Sequence, residues 1–426
     1  MAQPTIGFAG LTHLGICSLV GAASKGFPVV GWHDDDALVG SIDAGTLPVS
    51  EPDLDDLFAK HRSQMTFSSD ASALGSCDVI YVAFDVPTDD DGKSDLGPIE
   101  VLLDRIAPQL RPDAILVILC QVSPGFTRAH AHVHPNLIYQ VETLVFGRAV
   151  ERATLPERLI VGVPDPAAPL PPAYETFLKS FNCPIMPMRY ESAELCKIAI
   201  NCFLVASVST ANTLADLCEG IGADWAEIVP ALRLDARIGQ QAYIKPGLGI
   251  SGGNLERDLA SVVRMADAAD KDASVIATYR SHSRFAKDWP FRVLQDAFGD
   301  SLADRKIAIL GLAYKENTHS TKNSPALQLL DRLGGTAVTA YDPLVRGIEA
   351  ANLTLGGDAL AALDGADAVC LMTPWAEFRG LAPAHAATRL SGKLVVDPYE
   401  LWDTDACTAA GLVHAVRGRE RNEQEA

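Results

Sequence analysis

Residues 245–258 read KPGLGISGGNLERD, a glycine-dense loop that presents Asn254, Arg257 and Asp258. Loops of this kind bring backbone close to a ligand and hold one side chain at a reacting atom, and the side chain on show is normally a nucleophile. An asparagine amide is not one. As a turn residue after two glycines Asn254 needs no chemical role, because asparagine tolerates unusual φ.

A second stretch, IGFAGLTHLG, places Gly10, Thr12 and Gly15 at the glycine positions of the GxGxxG dinucleotide fingerprint, between a strand-like run and a helix-like one. Thr12 stands at the middle position, where a Cβ crowds a pyrophosphate although its hydroxyl can donate to one. The fingerprint calls for an acid at the end of the second strand, about 20 residues on, to hold the adenosine ribose. VVGWHDDD instead puts His33 at that end and Asp34 one place later, where strand alternation turns it to the other side. The carboxylates at 34–36 oppose a 2′-phosphate, which favours NAD over NADP.

Elements of two kinds must position these residues. TIGFAG, PVVGWH, CDVIYVAF, AILVILCQV and RLIVGV alternate with amphipathic stretches of crossover length, the pattern of βαβ units in a mostly parallel sheet. From ESAELCKIAINCFL to about residue 275 the apolar residues take helical spacing. Strand signals return in RKIAILGLAY, TAVTAYDP, DAVCLMTP and KLVVDPYE, and IAILGL near residue 307 echoes IGFAGL near residue 6. The layout is α/β, helical, α/β.

Composition narrows the function classes. The chain has 426 residues, 48% hydrophobic and 21% charged, with a formal charge of −19. That charge opposes non-specific nucleic-acid binding, so an anionic ligand must be held by local donors. There is no uninterrupted apolar run of about 18 residues and no leader pattern at MAQPTIGFAG, which sets the expectation of a soluble cytoplasmic protein with no membrane partner. The nine cysteines are scattered without metal spacing, so no disulfide framework or metal site is expected. The charged end RGRERNEQEA is expected to be disordered.

Taken together, GFPVVGWHDDDALVGSIDAGTLPVSEPDL, DVIYVAFDVPTDDDGKSDL, LPERLIVG, AELCKIAINCFL, DARIG, KPGLGISGGNLERD, GLAYKENTHSTKNSPAL, YDP and WAEF make the chain resemble the UDP-glucose/GDP-mannose dehydrogenase family. The resemblance implies two Rossmann-like doubly wound domains joined by a helical dimerisation segment: a dinucleotide-binding domain over 1–189, a central domain over 190–295 and a nucleotide-sugar domain over 296–426. It implies NAD as cofactor, a nucleotide sugar as substrate and a homodimer. Members oxidise C6 of a nucleotide sugar twice, and the loop KxGxGYGGSCFPKD supplies a cysteine that holds the aldehyde as a thiohemiacetal.

Here that cysteine is Asn254, the loop's lysine is Arg257, and its aspartate stays as Asp258. The resemblance carries the family's reacting lysine and asparagine onto Lys197 and Asn201, one turn apart on a helix, and its NPEF glutamate onto Glu142 of QVET. It assigns substrate contacts to Lys245, Gly249, Gly252, Arg257 and Lys315, and to Arg237, which reaches across a subunit boundary. It adds Gln121 to the cofactor set. Departures gather at the same positions: Ser-Thr-Val becomes Cys120, Gln121 and Val122; the second glutamate of FxxEG is Phe146; GTPT becomes Asp85, Val86, Pro87 and Thr88; TDD becomes Thr318, His319 and Ser320; and DGRN becomes Asp397, Pro398, Tyr399 and Glu400. Cys120 reads as a buried strand-end cysteine in preference to a replacement nucleophile.

Without the thiol the covalent half of the reaction has no nucleophile. The expectation is an NAD-dependent nucleotide-sugar oxidoreductase limited to one hydride exchange, as a single oxidation or a redox-neutral epimerisation. A four-electron route through a hydrated aldehyde, a redox-inactive binding protein and a non-redox lyase or isomerase are the alternatives.

Overall fold

A computed structural model of the chain describes residues 3–87, 89 and 94–420. Thr88 and residues 421–426 lie outside that set. The described chain forms two compact units, residues 1–200 and 201–426.

The first unit is built on an eight-stranded sheet. Its strands are β1 (Ile6–Ala9), β2 (Val29–Trp32), β3 (Met65–Ser68), β4 (Val79–Val82), β5 (Ile115–Ile118), β6 (Leu137–Gln140), β7 (Leu159–Val163) and β8 (Ile185–Arg189). They lie in the order β3-β2-β1-β4-β5-β6-β7-β8. All neighbours run parallel except β6 and β7, which are antiparallel. Every residue of β1, β2, β4 and β5 is buried, as helices on both faces of a parallel sheet require. The chain order reverses at β1, between β2 and β4, and ligands of such sheets bind at the carboxyl ends of the strands flanking this switch.

The second unit repeats the plan with six parallel strands: β9 (Lys306–Leu310), β10 (Ala337–Tyr341), β11 (Leu353–Leu355), β12 (Ala368–Leu371), β13 (Leu394–Asp397) and β14 (Val413–Val416), ordered β11-β10-β9-β12-β13-β14. Its switch falls at β9. The two sheets bear out the α/β, doubly wound expectation.

The helix Tyr190–Ile221 is 32 residues long. Its first turns bury Tyr190 and Ala193 in the first unit's core, and its later turns bury Ala211, Ala215 and Cys218 with Trp225 and Ile244 in the second. By length and composition alone it could cross a membrane, with a hydropathy of 1.5 over its most apolar window. Leu195, Phe203, Leu217 and Ile221 on it are exposed.

The expected disordered end needs correction at its start. Arg417 is 3% exposed and its Nη2 donates to Asp216 at 2.9 Å. Gly418 N–H donates to Glu219 at 2.9 Å, and Arg419 Nε to Asp224 at 2.8 Å. Carboxylates from the helical region neutralise these charges and order the segment, which composition alone does not reveal.

Candidate functional site

At the switch of the first sheet, β1 runs into Gly10, whose φ is +103° and whose added Cβ would lie 2.8 Å from the Ala83 carbonyl. Only glycine takes that backbone at that distance without strain. Three residues later helix α1 (His13–Ser24) begins, and a Cβ on Gly15 would meet the Gly10 carbonyl at 1.8 Å. Strand, turn and helix are therefore packed as closely as a dinucleotide's pyrophosphate needs them. These residues fit NAD, whose phosphates would lie at the N–H groups opening α1.

Thr12 makes no side-chain cap to α1; its Oγ1 accepts from the Asp85 N–H at 3.3 Å. The Asp85 carboxylate in turn accepts from the Leu14 N–H at 3.5 Å. Beside them the His13 ring stacks on Phe146 with centroids 4.3 Å apart, and its Nε2 lies 2.8 Å from Glu51. Glu51 is buried and also accepts from the N–H groups of Gly147 and Ala149 at 2.9 and 3.1 Å. Phe146, where the family pattern has a glutamate, thus packs on the residue that opens α1.

The carboxylates after β2 have local partners. His33 follows the last strand residue, Trp32, and its Nδ1 accepts from the Asp35 N–H at 3.1 Å. Asp34 pairs with Arg105 at 2.7 Å, and Asp35 caps the next helix through the Ala37 and Leu38 N–H groups. Gln121 lies just past the end of β5.

Glu142 lies two residues beyond β6, whose last residue, Gln140, accepts hydrogen bonds from the hydroxyls of Tyr81 at 2.9 Å and Tyr174 at 2.7 Å. These buried tyrosines fix the strand end. Glu142 Oε2 then stands 3.3 Å from Lys197 Nζ, with side-chain exposures of 17% and 16%. Cys120 is fully buried, its Sγ donating to the Val82 carbonyl at 3.2 Å, and burial first of all pushes its thiol up to about 12. It is not a replacement nucleophile.

In the second unit, Asn201 Nδ2 donates to Asp258 at 2.5 Å, and Arg257 Nε lies 3.3 Å from the other oxygen of the same carboxylate. All three side chains are buried. Asp258 therefore orients the Asn201 amide, and Arg257 compensates its charge. Asn254 opens the helix Asn254–Ala268 and is exposed. Gly249 has φ +69° and would place a Cβ 2.6 Å from the Ser283 carbonyl, so the loop's glycine here serves close backbone packing. Gly252 N–H donates to the Lys322 carbonyl at 3.0 Å and fixes the other end of the loop.

Beside Asn201 on the long helix, Cys202 is pushed up to about 11 by burial and then by Asp258, which disfavours its thiolate. Lys245 is exposed and lines a cavity of about 250 Å³ with Trp225, Arg233, Tyr399, Glu400 and Arg419. Lys315 lies over the ring of its neighbour Tyr314 at 5.6 Å. Arg237 is 89% exposed and pairs with Asp235 at 2.6 Å.

Comparison with known proteins divides the chain into three segments. The NAD binding domain of the UDP-glucose/GDP-mannose dehydrogenase family matches residues 4–177, its central domain residues 191–283 and its UDP binding domain residues 308–404. The chain belongs to this family. The first unit is an NAD-binding domain, and the protein is an NAD-dependent oxidoreductase of the nucleotide-sugar dehydrogenase family. It is similar to UDP-glucose 6-dehydrogenase TuaD of Bacillus subtilis, 28% identical over 98% of this chain and 95% of that one. UDP-glucose 6-dehydrogenase of Rhizobium meliloti is 28% identical over 96% and 98%. Among solved structures, a UDP-glucose dehydrogenase from Pyrobaculum islandicum superposes with a TM-score of 0.83 at 26% identity, covering 95% of this chain and 96% of that one.

Sequence reasoning identified Glu142, Lys197, Asn201 and Asp258, and the structure pairs them as Glu142 with Lys197 and Asn201 with Asp258. It missed the cluster of His13, Glu51 and Phe146. Its signals were the acid of EPDL, the histidine in the glycine motif and Phe146 in place of a glutamate of FxxEG.

Proposed function

We propose that the protein takes a nucleotide sugar, most simply a UDP-sugar, through a single two-electron oxidation and releases it as the aldehyde or ketone. The observation that carries this reading is Asn254, exposed at the first residue of its helix where the family pattern has the thiol. Cys120, which is buried, and Cys202, which is half-buried, are both held as thiols.

In the reaction a carbinol carbon gives up a hydride and its hydroxyl a proton, so one sugar yields one NADH. NAD, when bound, supplies the hydride acceptor. Lys197 and Asn201, one turn apart on the long helix, supply a cation and an amide donor for the developing alkoxide. Glu142 holds the Lys197 ammonium, and Asp258 fixes the Asn201 amide so that little reorganisation is needed as charge develops. A second oxidation requires a tetrahedral adduct on the aldehyde, and an amide forms none. Replacing Lys197 by methionine is expected to lower kcat by about 100- to 1000-fold, the range for losing a preorganised donor. In this reading Arg237 and Lys245 contact the substrate, the exposed Phe203, Leu217 and Ile221 are covered in a homodimer, and the enzyme works in the cytoplasm.

The test is incubation with a panel of UDP- and GDP-sugars and NAD, with products resolved by mass and NMR. An aldehyde or ketone is expected, and Asn254→Cys is expected to yield acid. Acid from the unaltered protein would favour the hydrated-aldehyde route. An epimer without NADH would mean that cofactor is retained and returns its hydride; a carboxylate at the opening of α1 argues against such retention. No NAD-linked or ligand-induced rise in Tm with any sugar nucleotide would favour a binding role.

A further inference from the structure

The N–H groups that open a helix have no partner inside it and carry its partial positive charge, which is why anions settle there. In α1 that position already holds an anion from the same chain. Asp85 Oδ2 accepts from the Leu14 N–H at 3.5 Å, while the Asp85 N–H donates to Thr12 Oγ1 at 3.3 Å. Side chain and backbone of one residue thus bracket the turn where the fingerprint places a pyrophosphate. The field of this carboxylate reaches the helix's first turns: the Cys17 thiol is pushed up to about 12 by burial, then by Glu51 and Asp85.

The second sheet shows the same arrangement in a completed form. After β9, the Leu312 and Ala313 N–H groups donate to Asp342 at 2.8 and 3.0 Å. The same carboxylate accepts from Leu344 and Val345, each at 2.9 Å, and from Trp375 Nε1 at 3.1 Å. Asp342 is 1% exposed and built in. Asp85 is exposed, with one long contact to the helix, so its carboxylate can be displaced.

We propose that Asp85 is a built-in competitor for the cofactor's pyrophosphate, which sets the affinity for NAD low and makes the cofactor a readily dissociating co-substrate. An incoming pyrophosphate needs the same N–H groups and must either displace this carboxylate or lie beside it against like charge. Thr12 has a part in this: its hydroxyl oxygen holds the Asp85 backbone in place, and its Cβ narrows the space left. The inference concerns binding to the NAD domain and is independent of how many hydrides the sugar gives up.

The test is calorimetric titration of the full chain, without sugar, with NAD, ADP and adenosine, for the unaltered protein, Asp85→Asn and Asp85→Ala. Both substitutions are expected to tighten NAD and ADP by about 3- to 30-fold, the range for relieving one charge at a helix N-terminus. Adenosine, which has no pyrophosphate, is expected to bind all three proteins alike. Unchanged or weaker NAD binding in the variants would overturn the proposal, as would equal tightening of adenosine. Asp85→Asn keeps the side chain's shape, so it carries the test if the alanine variant folds poorly.

Discussion

β1 ends at Ala9 and passes to Gly10 at φ +103°; β9 ends at Leu310 and passes to Gly311 at φ +99°. Beyond that shared turn the two units diverge. In the first, α1 starts at His13 and its N–H groups face the switch of the sheet. In the second, the helix starts only at Pro325, after an excursion through residues 311–324, and the turn's N–H groups are bound by Asp342. Two sheets that share the strand order of their first six strands therefore differ in what they can bind. The first keeps an anion position that a ligand can take from Asp85, and the second has filled it permanently. A doubly wound sheet does not by itself make a dinucleotide site.

Substitutions at the matched positions sharpen this contrast. Gly311→Ala is expected to have the largest effect, because its Cβ would lie 2.4 Å from the Thr373 Cβ at a φ unfavourable to any side chain. A loss of about 4 kcal/mol, or failure to fold, is expected in chemical denaturation. Asp342→Ala follows at about 3 kcal/mol, since it strands buried backbone donors. A smaller, pH-dependent effect accompanies it. Burial raises the Asp342 carboxyl, but backbone donors from Ala313, Val345, Leu312 and Leu344 outweigh this and hold it below the ordinary range.

With the folded value lowered, the charge of Asp342 stabilises the fold above the ordinary carboxylate pKa of about 4 and loses that contribution as pH falls through its depressed value. Asp342→Asn should flatten this acid limb of the stability curve. Asp85→Ala should have the smallest effect on folding, within about 0.5 kcal/mol as for other surface positions. If it destabilised the protein as much as Asp342→Ala, the distinction between a displaceable and a built-in carboxylate would fail.

How much of this was legible in the sequence depended on burial. The strands read correctly include the central ones, whose two buried faces produce continuous apolar runs such as VIYV and ILVI. Those missed are the sheet edges β3, β8, β11 and β14, together with the buried β6. An edge strand such as IMPMR buries too little to leave a pattern. At the site, spacing put Lys197 and Asn201 on one helix face and resemblance found Glu142 and Asp258, but their pairing depends on contacts such as Asn201 to Asp258, 57 residues apart. Asp85 was visible only as a departure from GTPT, because its contact with Leu14 joins residues 71 apart in the chain.

With Asn254 where the family pattern has a thiol, the reaction is expected to stop after one hydride. The most direct measurement is the number of NADH molecules formed per nucleotide sugar consumed, followed by absorbance with excess NAD and a limiting sugar that the product panel has identified. One equivalent with a carbonyl product is the predicted result. Two equivalents with an acid product would contradict it.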